Sequence, residues 1–268
     1  MACALEIRNW KVMLIPYTQA VEELKVKFKS IRTELLSMDE YSPIEFITGR
    51  VKKISSILDK ARKKGIPVED IEEKIEDIAG IRIMCQFVED IYKVIEIIRA
   101  RDGKDLFIVE ERDYITHMKS SGYRSYHIII KYPVQTAHGE KNIFAEIQIR
   151  TLAMNFWATI EHSLKYKYKK DMPVKIQERL IKAAEAAFLL DQEMAQIREE
   201  VLKAQEMFQL ESNIIADIFG SMQALTTSGK NKDMTDIYEK FWNLWEEGNL
   251  EKLEAFNKSI ESASNKYN

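Results

Sequence analysis

The sequence predicts an α+β domain, and three observations lead there. Period-two runs form at least one antiparallel hairpin, apolar residues recur at helical spacing in several stretches, and the two patterns alternate irregularly rather than as the strand–helix repeat of a doubly wound parallel sheet. Residues 10–35 carry Trp10, Leu14, Tyr17, Val21, Leu24, Phe28, Ile31 and Leu35 on one helical stripe, with Pro16 either limiting where that helix starts or kinking it. After a break over 39–43, residues 44–53 read as extended, and 54–64 return to helix with Ile54, Ile57, Leu58 and Ala61 inward. Gly65-Ile66-Pro67 ends that helix, and a short acidic one covers 68–75. Residues 77–85 then read as a buried strand with Asp77 at its entrance and Arg82 within it. An amphipathic helix over 88–101, a strand over 106–111 leading into Arg112, and a loop over 115–122 with His117 and Lys119 follow.

Residues 123–132 and 142–150 are two strands joined through 133–141, where His138-Gly139-Glu140 suits a turn. In the second strand Ile143, Ala145, Ile147 and Ile149 share one face, and Glu146, Gln148 and Arg150 share the other. The hairpin brings Tyr123, Arg124 and His127 toward those polar residues, and alternation alone suits a ligand groove and a half-exposed hairpin equally. Residues 151–168 are a helix bearing Asn155, Trp157, Glu161 and His162, and a long helix covers 174–208. Beyond it Ile214, Ile218, Met222 and Leu225 are helically spaced, 226–233 is a loop, and Tyr238, Phe241, Trp242 and Trp245 form an aromatic stripe expected to be a packing surface.

The chain has 268 residues and a formal net charge of −3, so nothing global points to nucleic acid. Residues 50–64, however, hold seven Lys or Arg against Asp59 alone, whereas 211–268 hold six Lys against ten Asp or Glu. A basic patch in a nearly neutral protein suits a small polyanion. Cys3 and Cys85 are too few for a disulfide framework, the N-terminus is interrupted by Arg8, Asn9 and Lys11, and no long apolar run occurs, so a soluble protein of the reducing cytoplasm is expected. The four histidines form neither a His-Asp pair nor an H-E-x-x-H motif, which argues against a metallohydrolase, and no glycine-rich phosphate loop is present.

Phosphates would therefore be held by side chains. Lys52, Ser56, Lys60 and Lys63 or Lys64 fall near one helix face with Arg50 just ahead, a spacing that suits a polyphosphate and also a solvated basic face. Asp77 and Glu146 are acids at the polar positions of two strands. Two carboxylates plus substrate phosphate oxygens are a common way to hold Mg²⁺, which implies metal-assisted phosphoryl or pyrophosphoryl transfer. Tyr123, after Gly122, suits stacking on a nucleobase or a place in the core.

Five segments in order, T-G-R-V-K (48–52), D-I-A-G-I-R (77–82), G-Y-R-S-Y-H (122–127), E-I-Q-I-R-T (146–151) and W-A-T-I-E-H (157–162), resemble the (p)ppGpp synthetases of the RelA/SpoT family, and most of all its small alarmone synthetases of the RelQ type. The likeness covers residues 10–208. It implies a nucleotidyltransferase-like mixed β-sheet flanked by helices, with long N- and C-terminal helices, and transfer of pyrophosphate from ATP to the 3′-hydroxyl of GTP or GDP to give the alarmones pppGpp or ppGpp and AMP. On that resemblance Arg50 and Arg82 sandwich adenine, and Lys52, Ser56, Lys60 and Lys63 hold the ATP phosphates. Tyr123 stacks on guanine, while Arg112, Lys119, His127 and Gln148 engage the acceptor. Asp77 and Glu146 bind Mg²⁺, with Glu146 also the candidate base. Lys25, Lys29, Phe46, Thr48, Gly49 and Asn155 match a product-alarmone site in the central cleft of a homotetramer.

The resemblance divides the chain into a synthetase domain over 1–210 and a helical tail over 211–268. Lys63 stands where the family has Arg, one extra residue lies near Glu73, and the tail has no counterpart. The missing His-Asp pair implies synthesis of the alarmone without hydrolysis. Other readings are a catalytically inactive regulator binding nucleotide or RNA on the same fold, and a nucleotidyltransferase releasing pyrophosphate.

Overall fold

The structure, a computed structural model, describes residues 10–168, 172–227 and 234–265. The chain forms two compact units, Met1–Ala195 and Gln196–Asn268. In the first, α1 (Trp10–Ser37), β1 (Phe46–Val51), α2 (Ile54–Lys64), a 3₁₀ turn (Val68–Asp70), α3 (Ile71–Lys74), β2 (Ala79–Cys85), α4 (Val88–Arg99), β3 (Phe107–Asp113), β4 (Tyr126–Thr136), β5 (Gly139–Thr151) and α5 (Leu152–Lys167) follow in order. Helix α6 (Val174–Thr227) begins in this unit. Cys3 and the residues around Arg8 lie outside the described residues, as do 228–233 of the expected loop. No helix among the described residues is long and apolar enough to cross a membrane.

The five strands form one mixed sheet in the order β1-β2-β5-β4-β3. β2 and β5 run parallel, and every other neighbouring pair is antiparallel. Alternation puts Ile47, Ile81, Ile83, Ile128, Ile130, Ala145, Ile147 and Ile149 into one buried cluster with Tyr17, Val21, Leu24 and Phe28 of α1 and Ile91, Val94, Ile95 and Ile98 of α4. Gly49 allows α1 to lie close: a Cβ there would stand 2.7 Å from Val21 Cγ1 and 3.0 Å from Ile81 Cδ1. Cys85 belongs to this cluster, and burial pushes its thiol up from the ordinary range.

Several elements extend past their expected ends. The hairpin link shrinks to residues 137–138, because β4 continues through Pro133, which pairs with Asn142. Pairing with β3 stops at Lys131, so one side of β4 has no strand neighbour there and a residue lacking an N–H is tolerated. Pro16 stands inside α1, which runs on past it in both directions. Leu58 is exposed rather than inward, since Ile57 and Ala61 alone fill the buried stripe of α2. Arg124 points away from the polar strand face: its Nη2 lies 3.6 Å from Glu185, and its guanidinium lies over the Phe188 ring at 4.0 Å.

The helix expected to end at residue 208 continues to Thr227, as no Pro interrupts it and the Ile214, Ile218, Met222 and Leu225 stripe supplies a buried face. In the second unit those residues form a cluster with Phe241 of α7 (Met234–Glu246) and with Leu253, Phe256 and Ile260 of α8 (Leu250–Asn265). Only Phe241 of the aromatic stripe is buried; Tyr238, Trp242 and Trp245 are exposed.

The sheet's end is tied to α6 through one hydroxyl. Thr151 caps α5 by accepting from the Met154 N–H and donates to Asp191 Oδ2 at 2.6 Å. Burial pushes the Asp191 carboxyl up to about 6, against the opposing pull of the Thr151 bond and Arg124. The native state thus binds a proton more tightly than the unfolded chain, and stability falls as pH rises from about 4 to 6. Asp191→Asn is expected to stabilise the protein by roughly 2 kcal/mol above pH 7, the gain vanishing below pH 4. Chemical denaturation at pH 8 and pH 4 measures it; an equal difference at both pH values would refute the assignment.

Candidate active site

The sheet face opposite α1 collects the polar side chains by register. Thr48 pairs with Arg82, Arg82 with Gln148, Gln148 with His127 and His127 with Arg112, a row across all five strands. Two residues along each strand, Arg50 pairs with Gly80 and Gly80 with Glu146. Gly80 carries no side chain on this face, so the space between Arg50 and Glu146 stays open. A cavity of about 220 Å³ results, lined by Thr48, Arg50, Asp77, Arg82, Glu146 and Gln148 together with the backbone at Gly49, Gly80 and Ile81. The predicted acids and the two predicted arginines thus meet at one point, although they come from segments remote in sequence.

Asp77 sits in the turn before β2, between two ammonium groups. Lys52 Nζ donates to Oδ2 at 2.6 Å, and Lys60 Nζ forms an ion pair with Oδ1 at 2.9 Å outside hydrogen-bond geometry. Burial raises the Asp77 pKa, but the two lysines outweigh it and hold the carboxyl below its ordinary range. Ser56 and Lys63 are exposed on α2 and do not line the cavity, whereas Lys52 and Lys60 reach Asp77 at its edge.

Glu146 is buried and fully engaged. His127 Nδ1 donates to Oε1 at 2.9 Å, and Gln148 Nε2 donates to Oε2 at 2.7 Å. Burial alone would raise its pKa; the two N–H donors lower it to about 2. Burial also lowers the pKa of His127, so the ring is neutral at pH 7, and the bond to Glu146 assigns its proton to Nδ1. Its Nε2 then accepts from the Tyr123 hydroxyl at 2.8 Å. Arg82 Nε donates to Gln148 Oε1 at 3.2 Å, and burial, with the charges of Arg150 and Arg50 nearby, lowers the Arg82 pKa to about 10.

The acceptor-side residues form an aromatic and cationic wall. Tyr114, Tyr123 and His127 meet edge to face, with ring centroids 5.2 to 6.1 Å apart, and Lys119 Nζ lies 4.1 Å from the Tyr114 centroid and 5.1 Å from that of Tyr123. Arg112 is held by Glu76 at 2.9 Å and by Glu110. Of the residues assigned to an alarmone site, Lys25 reaches Gly49, Thr48 and Gly49 share the cavity wall with Arg50, Phe46 and Lys29 are exposed, and Asn155 presents a buried Oδ1 without a hydrogen-bond partner among the described residues.

Sequence reasoning placed Arg150 on this face without giving it a role, and missed Tyr114 as part of the wall. The alternation that singled out Glu146 and Gln148 places Arg150 on the same face, so that signal was present; for Tyr114 none was.

The chain matches the family described as "Region found in RelA / SpoT proteins" over residues 49–171. It is 58% identical over 204 residues to GTP pyrophosphokinase YjbM of Bacillus subtilis (strain 168), an alignment covering 76% of this chain and 95% of that protein. The structure of small alarmone synthetase 1 from Bacillus subtilis bound to its product pppGpp superposes with a TM-score of 0.69 at 60% identity, covering 72% of this chain and 97% of the other. The same synthetase bound to AMPCPP gives a TM-score of 0.64 at 56% identity, over 72% and 98% of the two chains. With its mixed five-stranded sheet, its cavity between Arg50 and Glu146 and this likeness over nearly the whole length of the Bacillus subtilis proteins just named, the chain belongs to the RelA/SpoT family and, within it, to the small alarmone synthetases.

Proposed function

We infer that the chain is a GTP pyrophosphokinase: the 3′-hydroxyl of GTP or GDP attacks the β-phosphorus of ATP, and the bond to the α,β-bridging oxygen breaks to give pppGpp or ppGpp and AMP. The observation that carries this reading is the convergence of Asp77 and Glu146, both ionised, on one cavity flanked by Arg50, Arg82, Lys52 and Lys60. ATP occupies this cavity, with adenine between Arg50 and Arg82 and its phosphates toward Lys52 and Lys60. The exposed Ser56 and Lys63 add contacts at the phosphate end. Guanine lies on Tyr123, with Lys119, Arg112, His127 and Gln148 around the acceptor.

Two ionised carboxylates facing one cavity fit a hard divalent cation such as Mg²⁺. Among the described residues no group of three or more His, Cys, Asp or Glu side chains gathers at one point, so phosphate oxygens and water would complete its shell. Bound there, Mg²⁺ would neutralise phosphate charge during the transfer. Lys52 and Lys60 now hold Asp77, and a polyphosphate would compete for the same two ammonium groups and free the carboxylate. Glu146, at about 2, is a poor resting base, and accepting a proton from the 3′-hydroxyl requires that its N–H donors yield.

Incubation of the purified chain with ATP, GTP and Mg²⁺, followed by anion exchange, tests the reading. Equal amounts of AMP and pppGpp support it, free pyrophosphate indicates nucleotidyl transfer, and no turnover favours a regulator that binds nucleotide or RNA. We assign the synthetase domain to residues 1–210, the tail over 211–268 to an appendage, and the assembly to a homotetramer whose cleft takes the product through Lys25, Lys29, Phe46, Thr48, Gly49 and Asn155. The exposure of Phe46 supports this assignment. In Phe46→Ala the ratio of rates with and without added pppGpp is expected to fall to about one. An unchanged activation curve would sink the assignment.

A further inference from the structure

We propose that Arg150 is a positioning residue of the transfer reaction, one buried guanidinium that orients both donors to Glu146 and the acceptor-side ring of Tyr123. This rests on the pyrophosphokinase reading above. Arg150 lies on the cavity face of β5, two residues beyond Gln148, and is 4% exposed. Its Nη2 donates to the Tyr123 hydroxyl at 2.6 Å and to Gln148 Oε1 at 2.6 Å, and its Nε donates to Ser125 Oγ at 3.2 Å.

Two arms leave this guanidinium and close on the same carboxylate. Along one, the Tyr123 oxygen accepts from Arg150, so its own proton goes to His127 Nε2 at 2.8 Å, and His127 Nδ1–H donates to Glu146 Oε1 at 2.9 Å. Along the other, Gln148 Oε1 accepts from Arg150 and from Arg82, so the amide NH₂ turns to Glu146 Oε2 at 2.7 Å. Every proton direction in the ring follows from one group that can only donate. Tyr123 is doubly held, since the Arg150 guanidinium also lies 5.1 Å from its ring centroid.

Packing does not account for Arg150. Its acceptors are all neutral, and no carboxylate of the described residues stands within ion-pair distance of it. A buried cation that reaches its counter-charge, Glu146, only through neutral side chains adds little to a fold, whereas next to a site that binds anionic nucleotides it is an asset. Lysine would not replace it, because one ammonium lacks the planar fork that spans Ser125, Tyr123 and Gln148 together.

The test pairs Arg150→Gln and Arg150→Lys with a Tyr123→Phe cycle in the full chain, reading kcat, the KM for GTP and, by calorimetry, the Kd for a non-hydrolysable ATP analogue. Wild-type protein must first turn over ATP and GTP; if it does not, the pyrophosphokinase reading fails before Arg150 is at issue. Both Arg150 variants are expected to raise the GTP KM and lower kcat by about tenfold each, with the ATP-analogue Kd changed less than about twofold. Tyr123→Phe, which keeps the ring and removes the hydroxyl, is expected to lower kcat about tenfold alone and less than about twofold when Arg150 is already Gln. Three results would overturn the proposal: a lower melting temperature with GTP KM and kcat unchanged, equal losses for ATP and GTP, or additivity in the cycle. Should the Arg150 variants fail to fold, Tyr123→Phe decides alone, an unchanged kcat counting against the proposal.

Discussion

Glu146→Gln is expected to lower kcat by at least about 1,000-fold while the protein remains folded. The substitution keeps shape and removes charge at a carboxylate that is 9% exposed and held near pKa 2. It also sets the new amide against Gln148, whose own NH₂ faces it because Arg150 and Arg82 hold the Gln148 carbonyl. One donor pair is therefore left facing itself, and the cavity loses one of its two anions. Since the wild-type carboxylate stays ionised far below neutrality, a fall in wild-type rate between pH 7 and 5 would have to come from another group. Single-turnover measurement of AMP formation is the readout. Residual activity above about a tenth of wild type would remove Glu146 from the reacting centre.

Gly80→Leu is expected to weaken ATP binding by at least about 100-fold, close to 3 kcal/mol. Gly80 lies in register between Arg50 and Glu146, and the cavity exists there because that position has no side chain. The backbone tolerates one: a Cβ at Gly80 would meet only the Arg50 carbonyl oxygen, at 3.7 Å, an ordinary contact. A leucine thus leaves the strand intact and fills the floor on which adenine is placed, whereas Gly80→Ala gives a smaller, graded loss. Titration with a non-hydrolysable ATP analogue reads both. An affinity within threefold of wild type for Gly80→Leu would move the ATP site off this cavity.

Most of what the site is made of could be read from local pattern. Alternation in residues 142–150 assigned Glu146, Gln148 and Arg150 to one face, and that assignment depends only on the two-residue period of a strand. The helices expected over 10–35 and 54–64 followed from spacing and from Gly65, whose φ of 63° ends α2, and the first runs two residues further, to Ser37. The five segments that resemble the family pointed to the reaction. Other limits were not local: α6 runs on to Thr227, β4 passes through Pro133, and Arg124 turns toward Glu185, each decided by what lies alongside.

By itself, then, the sequence determined most element types, the two faces of the strand over 142–150, and the family. Only the tertiary structure decided which faces meet. Parallel pairing of β2 with β5 places Gly80 beside Glu146 and Arg82 beside Gln148, although 66 residues separate each pair, and no local period encodes such a register. Folding also sets Lys52 and Lys60 on Asp77 and closes the ring from Arg150 to Glu146. The physical reason is that alternation costs nothing to satisfy locally, whereas neighbour choice is a competition among long-range pairings, won here by burying one isoleucine-rich face under α1 and α4.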